Sequence, residues 1–204
     1  MPRPLTIGLT GGVASGKSFV GGEFQRLGVP LLEADDVGRE VVAPPSPALA
    51  EIAREFGADA LTAEGVLDRR RMRERVFADK SALKRLEAIT HPLIRARIRA
   101  WASAQTAPYC ILSAAILLES GMDALVDRVL LVDAPEAVQL ARLVLRDGVA
   151  EPLALQMIAA QASRQSRLAR AHDVLDNSDT QRPLTPAIAR LHRFYQTLAA
   201  NRSR

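Results

Sequence analysis

Leu5-Thr6-Ile7-Gly8-Leu9-Thr10-Gly11-Gly12-Val13-Ala14-Ser15-Gly16-Lys17-Ser18 is the stretch that decides the fold. The apolar run from Leu5 to Leu9 predicts a short strand, and Thr10 to Gly16 a glycine-rich turn. Lys17 to Leu27 predicts a helix with Phe19, Val20, Phe24 and Leu27 on one face, closed by Gly28. Gly11 to Ser18 fits G-x-x-x-x-G-K-[ST], with the strand before it and the helix after it that this motif requires. Glycines at these positions let consecutive backbone N–H groups turn toward one phosphate group. The helix N-terminus adds its positive end. Lys17 can then reach the β and γ phosphates of a nucleoside triphosphate, and the Ser18 hydroxyl can ligate Mg²⁺.

Working outward, short apolar segments alternate with helical ones. Val29–Leu32, Tyr109–Ala114, Arg128–Val132 and Asp173–Leu175 read as further strands, giving five. Strands without polar alternation predict a parallel sheet covered on both faces. Helices are expected from Pro135 to about Arg146, from Pro152 to about Ala171, and from Pro186 to Ala200. The stretch from about Gly38 to Ala104 reads as helical, with loops near Gly57 and Gly65 and a break at His91-Pro92. It contains no strand pattern and is expected to be an insertion between the second and third strands.

At 204 residues the chain is the size of one domain with insertions. No apolar run approaches the ~20 residues needed to span a bilayer, so no membrane partner is expected. The opening Met1-Pro2-Arg3-Pro4 runs into the first strand without a long apolar region, so no signal peptide is expected. The single cysteine, Cys110, cannot form an intramolecular disulfide and is expected as buried packing; the default location is the cytoplasm. The net charge is +4, which suits phosphates. Lysine occurs only at positions 17, 80 and 84, so arginine supplies the rest of the 27 basic residues. Aromatic residues are 4% and there is no basic run, so no nucleic-acid partner is expected. The oligomeric state is open between a monomer and a weak oligomer.

Beyond the loop, several residues have two readings. Glu33-Ala34-Asp35-Asp36 follows the second strand, where side chains line the ligand crevice of an open parallel sheet. An acid here could take the proton of an acceptor hydroxyl, or simply begin a helix. Arg142 and Arg146 share a helix face, either closing on a transferring phosphate or facing solvent. Arg164, Arg167 and Arg170 carry the same two readings. His91, before Pro92, could meet a phosphate or cap a helix. His172 and His192 are isolated and expected at the surface, and no Cys/His cluster suits zinc.

Taken together, these residues resemble the dephospho-CoA kinase family over nearly the whole chain. The resemblance rests on Ile7–Gly12 running into the phosphate loop, Glu33-Ala34-Asp35, Gly65–Arg69, Val76-Phe77 and Leu86–Pro92. It continues through Leu117-Leu118-Glu119, Val132-Asp133, Gln139–Arg142, Gln161, Arg167-Leu168 and Asp173–Asn177. It implies a P-loop, nucleoside-monophosphate-kinase-like α/β fold: a parallel five-stranded sheet flanked by helices, within a single 1–204 domain. Its core would be residues 1–37, 105–141 and 166–204, its helical acceptor-binding insertion 38–104, and its lid 142–165. The implied activity is phosphorylation of the ribose 3′-hydroxyl of dephospho-CoA, with ATP as donor and Mg²⁺ as cofactor.

By the same resemblance Lys17, Asp35 and Arg142 would be catalytic, with Ser18 on the metal. Gly11, Gly12, Val13, Ala14, Ser15, Gly16, Lys17, Ser18, Phe19, Arg146 and Asn177 would bind ATP. Thr10, Glu33, Asp35, His91, Leu117, Glu119, Gln161 and Arg167 would bind the acceptor. The chain departs from the family pattern at Ala14, where glycine is usual and no strain is expected if φ is negative. It departs also at Glu33 for aspartate, Ala115 for proline and His172 for aspartate. A second reading is another small-molecule kinase of this fold, acting on a nucleoside, nucleotide or shikimate-like acceptor. A nucleotide-dependent switch or nucleic-acid-binding regulator is a third; the guanine-reading N-K-x-D of a GTPase is absent from the sequence.

Overall fold

A computed structural model describes residues 3–179 and 182–202. Met1 and Pro2, part of the opening read above, lie outside these residues. In chain order the elements are β1 (Leu5–Gly11), α1 (Lys17–Arg26), β2 (Leu31–Glu33), α2 (Ala34–Glu40), α3 (Pro47–Phe56), α4 (Arg69–Ala78), α5 (Lys80–Ser103) and β3 (Tyr109–Ser113). They continue as β4 (Arg128–Asp133), α6 (Glu136–Leu145), α7 (Glu151–Ala159), α8 (Arg164–Arg170), β5 (Asp173–Asp176) and α9 (Thr185–Arg202). The chain divides into two compact units: Met1–Glu33 with Trp101–Arg204, and Ala34–Ala100.

The first unit is built on a five-stranded sheet in the order β2-β3-β1-β4-β5, every pairing parallel. Each residue of β1 is buried, as an apolar run covered on both faces requires. Ile7, Leu9, Ile111, Leu130 and Val132 form a core with Phe24 of α1 and Ile188 and Tyr195 of α9. Each such fully buried side chain contributes roughly 1.5–3 kcal/mol. The rings of Phe24, Tyr109 and Tyr195 meet within this layer, fixing α1, and with it the start of the phosphate loop's helix, against the sheet.

The second unit has its own core of Val42, Ala48, Ile52, Phe56, Ala60, Met72 and Ala82. Its helices start where local chemistry dictates. The Ser46 hydroxyl accepts from Leu49 N at 3.0 Å ahead of Pro47, and Asp68 accepts from Arg71 N at 2.9 Å.

Three local expectations are corrected. The helix α5 runs through Pro92 instead of breaking at His91-Pro92. An interior proline costs about 3 kcal/mol. Burial of Ala82, Ile94 and Ile98 along the same helix offsets that cost. The helix expected from Pro152 to Ala171 is two helices, α7 and α8. Ser163 caps α8 by accepting from Ser166 N at 3.1 Å, and the turn before it is held by contacts described below. His192 is half-buried, not superficial: its Nδ1 lies 2.7 Å from the Tyr109 hydroxyl. His172 is exposed, with Nδ1 accepting from Val129 N at 3.1 Å beside the β4–β5 ladder. Cys110 is buried, and burial raises its thiol pKa, as packing without reactivity requires.

Candidate active site

The turn between β1 and α1 closes through a bond from Ser15 N to Gly12 O of 3.0 Å. A cavity of about 240 Å³ opens at this turn, lined by every residue from Gly11 to Phe19 together with Ala115, Arg146 and Gln161. Gly16 stands at φ 100°, and a Cβ there would collide with Asn177 Nδ2. At Gly12 a Cβ would fall 2.7 Å from Gln139 Oε1 and 2.8 Å from Arg167 Nη2. The motif's glycines are thus required by close approach of polar side chains as well as by the turn.

Ala14 does not meet the condition under which it would be free of strain. Its φ is 57°, the left-handed region that L side chains enter at a cost. Ala14→Gly is therefore expected to stabilise the chain by about 1 kcal/mol, read from the urea unfolding midpoint. Nucleotide affinity should stay within about twofold of wild type. A midpoint that falls would show that the loop tolerates the methyl group without strain.

Lys17, in the first turn of α1, points along the strand ends. Its Nζ donates to Ser113 Oγ at 2.7 Å and pairs with Glu33 Oε2 at 3.2 Å. Parallel register places Ser113 beside Leu9 on one side and Glu33 on the other. The ends of β1, β3 and β2 thus bring three chemical groups together where open parallel sheets bind ligands. Ser113 was not singled out in the sequence; a serine ending an apolar strand carries no local signal. Ser18 is exposed beside the same cavity, with no side-chain hydrogen bond among the described residues.

Arg142, near the end of α6, reaches back over the loop. Nη2 donates to Asn177 O at 2.9 Å, and Nη1 lies 3.3 and 3.4 Å from the carbonyls of Ala14 and Ser15. Asn177 Nδ2 donates to Ser15 O at 2.7 Å, so the residue after β5 and the end of α6 grip the outside of the same turn. Burial, and then neighbouring Arg146, lower the Arg142 pKa without removing its charge. Arg146 is exposed and forked onto Asp147 at 2.6 and 2.9 Å. Beside Arg142, Arg146 and Asn177 a second cavity of about 340 Å³ extends to Phe19 and to Arg182–Leu184.

The turn between α7 and α8 meets the phosphate loop directly. Gln161 Oε1 accepts from Val13 N at 2.7 Å. Ala162 N donates to Glu119 Oε1 at 2.9 Å, and Ala162 O accepts from Arg167 Nη1 at 2.6 Å. Arg167 is only 4% exposed, which excludes the solvated-face reading for it. Arg164 forks onto Asp133 at the end of β4, and Arg170 pairs with Asp123. The buried Asp133 and Gln139, which the sequence offered only as motif residues without a role, are further members of this layer.

The remaining candidates are spread. Thr10 is buried at the end of β1, its Oγ1 3.4 Å from Ala115 O. The Leu117 side chain is fully buried in the core against Gly8, a packing position. Asp35 and Asp36 occupy the first turn of α2 in the second unit. Asp36 pairs with Arg39 at 2.9 Å, whereas Asp35 is exposed without an ion-pair partner among the described residues. His91 lies half-buried within α5, again in the second unit. Among the described residues no group of three or more His, Cys, Asp and Glu side chains could hold a metal ion, and no helix is long and apolar enough to cross a membrane.

The family model described as dephospho-CoA kinase matches residues 5–182. A Hahella chejuensis protein named dephospho-CoA kinase is 45% identical, over 97% of this chain and 95% of its own length. One from Xanthomonas oryzae pv. oryzae with the same name is 49% identical, over 93% of this chain and 95% of its own. A crystal structure from Thermus thermophilus superposes with a TM-score of 0.82 at 31% identity, covering 94% of this chain and 98% of that one.

Proposed function

The chain belongs to the dephospho-CoA kinase family, and from that premise we propose how its site moves the γ-phosphoryl group of ATP onto the ribose 3′-hydroxyl of dephospho-CoA. The observation that carries the reading is the phosphate-loop cavity with Lys17 in its wall. The backbone N–H groups of the Gly11–Ser18 loop that its own turn and Gln161 leave open, with the Lys17 ammonium, take the phosphates. Asp35 takes the proton of the acceptor hydroxyl as its oxygen attacks the γ-phosphorus and the bond to the ADP oxygen breaks. The Asp35 carboxylate, exposed and without an ion-pair partner among the described residues, against the paired one of Asp36, supports that choice of base. Glu33 stands two residues before it, and His91 would face the acceptor.

Mg²⁺ fits the residues present. This ion keeps several waters and binds through few protein oxygens plus phosphate oxygens, so a single exposed hydroxyl at Ser18 suffices from the loop. When bound it would neutralise charge on the β and γ oxygens. The compact unit 34–100 supports an acceptor-binding role for the insertion 38–104. Arg146 and Gln161, both lining the cavity, support a lid role for 142–165. A cytoplasmic location suits a chain whose one cysteine is a buried free thiol.

The test is a coupled ADP-release assay with a panel of acceptors. Dephospho-CoA should support turnover, and nucleosides, nucleotides and shikimate should not. Preference for any of the latter would overturn the acceptor assignment. Within the same assay Arg142→Lys should lower kcat about tenfold or more, because one ammonium cannot span the carbonyls that the guanidinium bridges. Arg146→Lys should be milder, since that side chain is exposed on Asp147. A wild-type kcat in Arg142→Lys would remove Arg142 from the transfer step.

A further inference from the structure

We propose that Ser113 is a positioning residue for phosphoryl transfer, acting through the Lys17 ammonium. The inference rests on the kinase reading above and adds a residue to it. Ser113 is 1% exposed, at the last position of β3, so its hydroxyl is fixed by the sheet and not by a mobile loop. Its Oγ accepts from Lys17 Nζ at 2.7 Å, the shorter of that ammonium's two contacts.

The physical need is clear from the lysine. Its four-carbon stem carries about 2 kcal/mol of rotamer entropy, and its charge is a point with no directional fork. A displacement of about 1 Å at a catalytic group can cost on the order of 10²-fold in rate. An ammonium has three donors. One goes to Ser113 and one to Glu33, leaving the third for a phosphate oxygen. The two partners differ in kind. Glu33 is about one-third exposed in its side chain and sits at the end of an edge strand. Its carboxylate offsets the lysine's charge. Ser113 is neutral and buried between β1 and β2, and so restrains position while leaving the charge for the nucleotide.

Two consequences separate this role from simple packing. Loss of the hydroxyl should act on the step in which charge must be placed, and little on ground-state nucleotide binding, which the loop's backbone shares out. A side chain that restores the hydroxyl should restore the rate.

The experiment measures kcat and KM with dephospho-CoA, ATP affinity by calorimetry, and the thermal midpoint, for wild type, Ser113→Ala and Ser113→Thr. Ser113→Ala should lower kcat about tenfold, the scale of one hydrogen bond to a charged group, with ATP affinity within about twofold. Ser113→Thr should recover most of the loss. A Ser113→Ala kcat within about twofold of wild type would overturn the proposal. So would equal losses in kcat and ATP affinity with a lowered midpoint, which mark a packing role. If the threonine methyl prevents folding, the kcat-against-affinity split of Ser113→Ala decides alone. A wild-type chain that uses another acceptor would sink the dephospho-CoA reading instead, and the Ser113 comparison is then made with that acceptor.

Discussion

Lys17→Ala is expected to abolish dephospho-CoA-dependent ADP release while leaving the far-ultraviolet circular dichroism spectrum unchanged. No neighbouring lysine can substitute, because the next ones in sequence are Lys80 and Lys84. Arg142 and Arg146 are engaged by loop carbonyls and by Asp147. The fold should survive because α1 is held by Val20 and Phe24 on its buried face, not by Lys17. The variant also frees Glu33 and Ser113. Glu33, partly exposed, can be rehydrated, and Ser113 keeps a small hydroxyl that tolerates a water. Turnover within about tenfold of wild type, with a native spectrum, would remove Lys17 from the transfer step and with it the phosphate-loop reading of the cavity.

Asp35→Asn is expected to lower kcat by about 10²–10⁴, the usual contribution of a positioned base, with little change in ATP affinity. The amide keeps the shape of the side chain and removes its charge, and with it the capacity to take a proton. Asp35 carries no salt bridge among the described residues, so the loss is not a structural one in disguise. Its neighbours supply the controls. Asp36→Asn breaks only the surface pair with Arg39 and should leave kcat near wild type. Glu33→Gln keeps an oxygen facing Lys17 and should lose less than Asp35→Asn. Should Glu33→Gln prove the more damaging, the base has been assigned to the wrong carboxylate.

The strand–loop–helix unit at the start of the chain was legible because all its determinants are local. Leu5–Leu9 is apolar throughout, the glycines recur at the motif's spacing, and Gly28 follows the helix. The five strands were legible for the same reason, with ends shifted by a residue or two. Local signals also misled. His91-Pro92 reads as a break, yet α5 passes through it, since burial along the rest of a 24-residue helix outweighs one missing N–H. Pro152 to Ala171 reads as one helix, yet it divides at Gln161–Ser163. There Val13 N and Glu119 bond to the turn from elsewhere in the chain, and Arg167 bonds back to it from α8. Ala14 fills a glycine position at φ 57°, which only backbone geometry could reveal.

By itself, then, the sequence determined that a phosphate loop stands between a strand and a helix, that the sheet is parallel, and that acids follow the second strand. These rest on spacing along the chain, where the period of a strand or helix fixes which side chains share a face. Only the tertiary structure decided what surrounds the loop. The order β2-β3-β1-β4-β5 puts Ser113 next to Lys17 across 96 residues, Asn177 against Ser15 across 162, and Gln161 on Val13 across 148. Each is one hydrogen bond between polar groups common in any sequence. Which donor meets which acceptor is set by strand order and register, and these follow from how the buried faces of the whole first unit pack, not from the residues on either side of the bond.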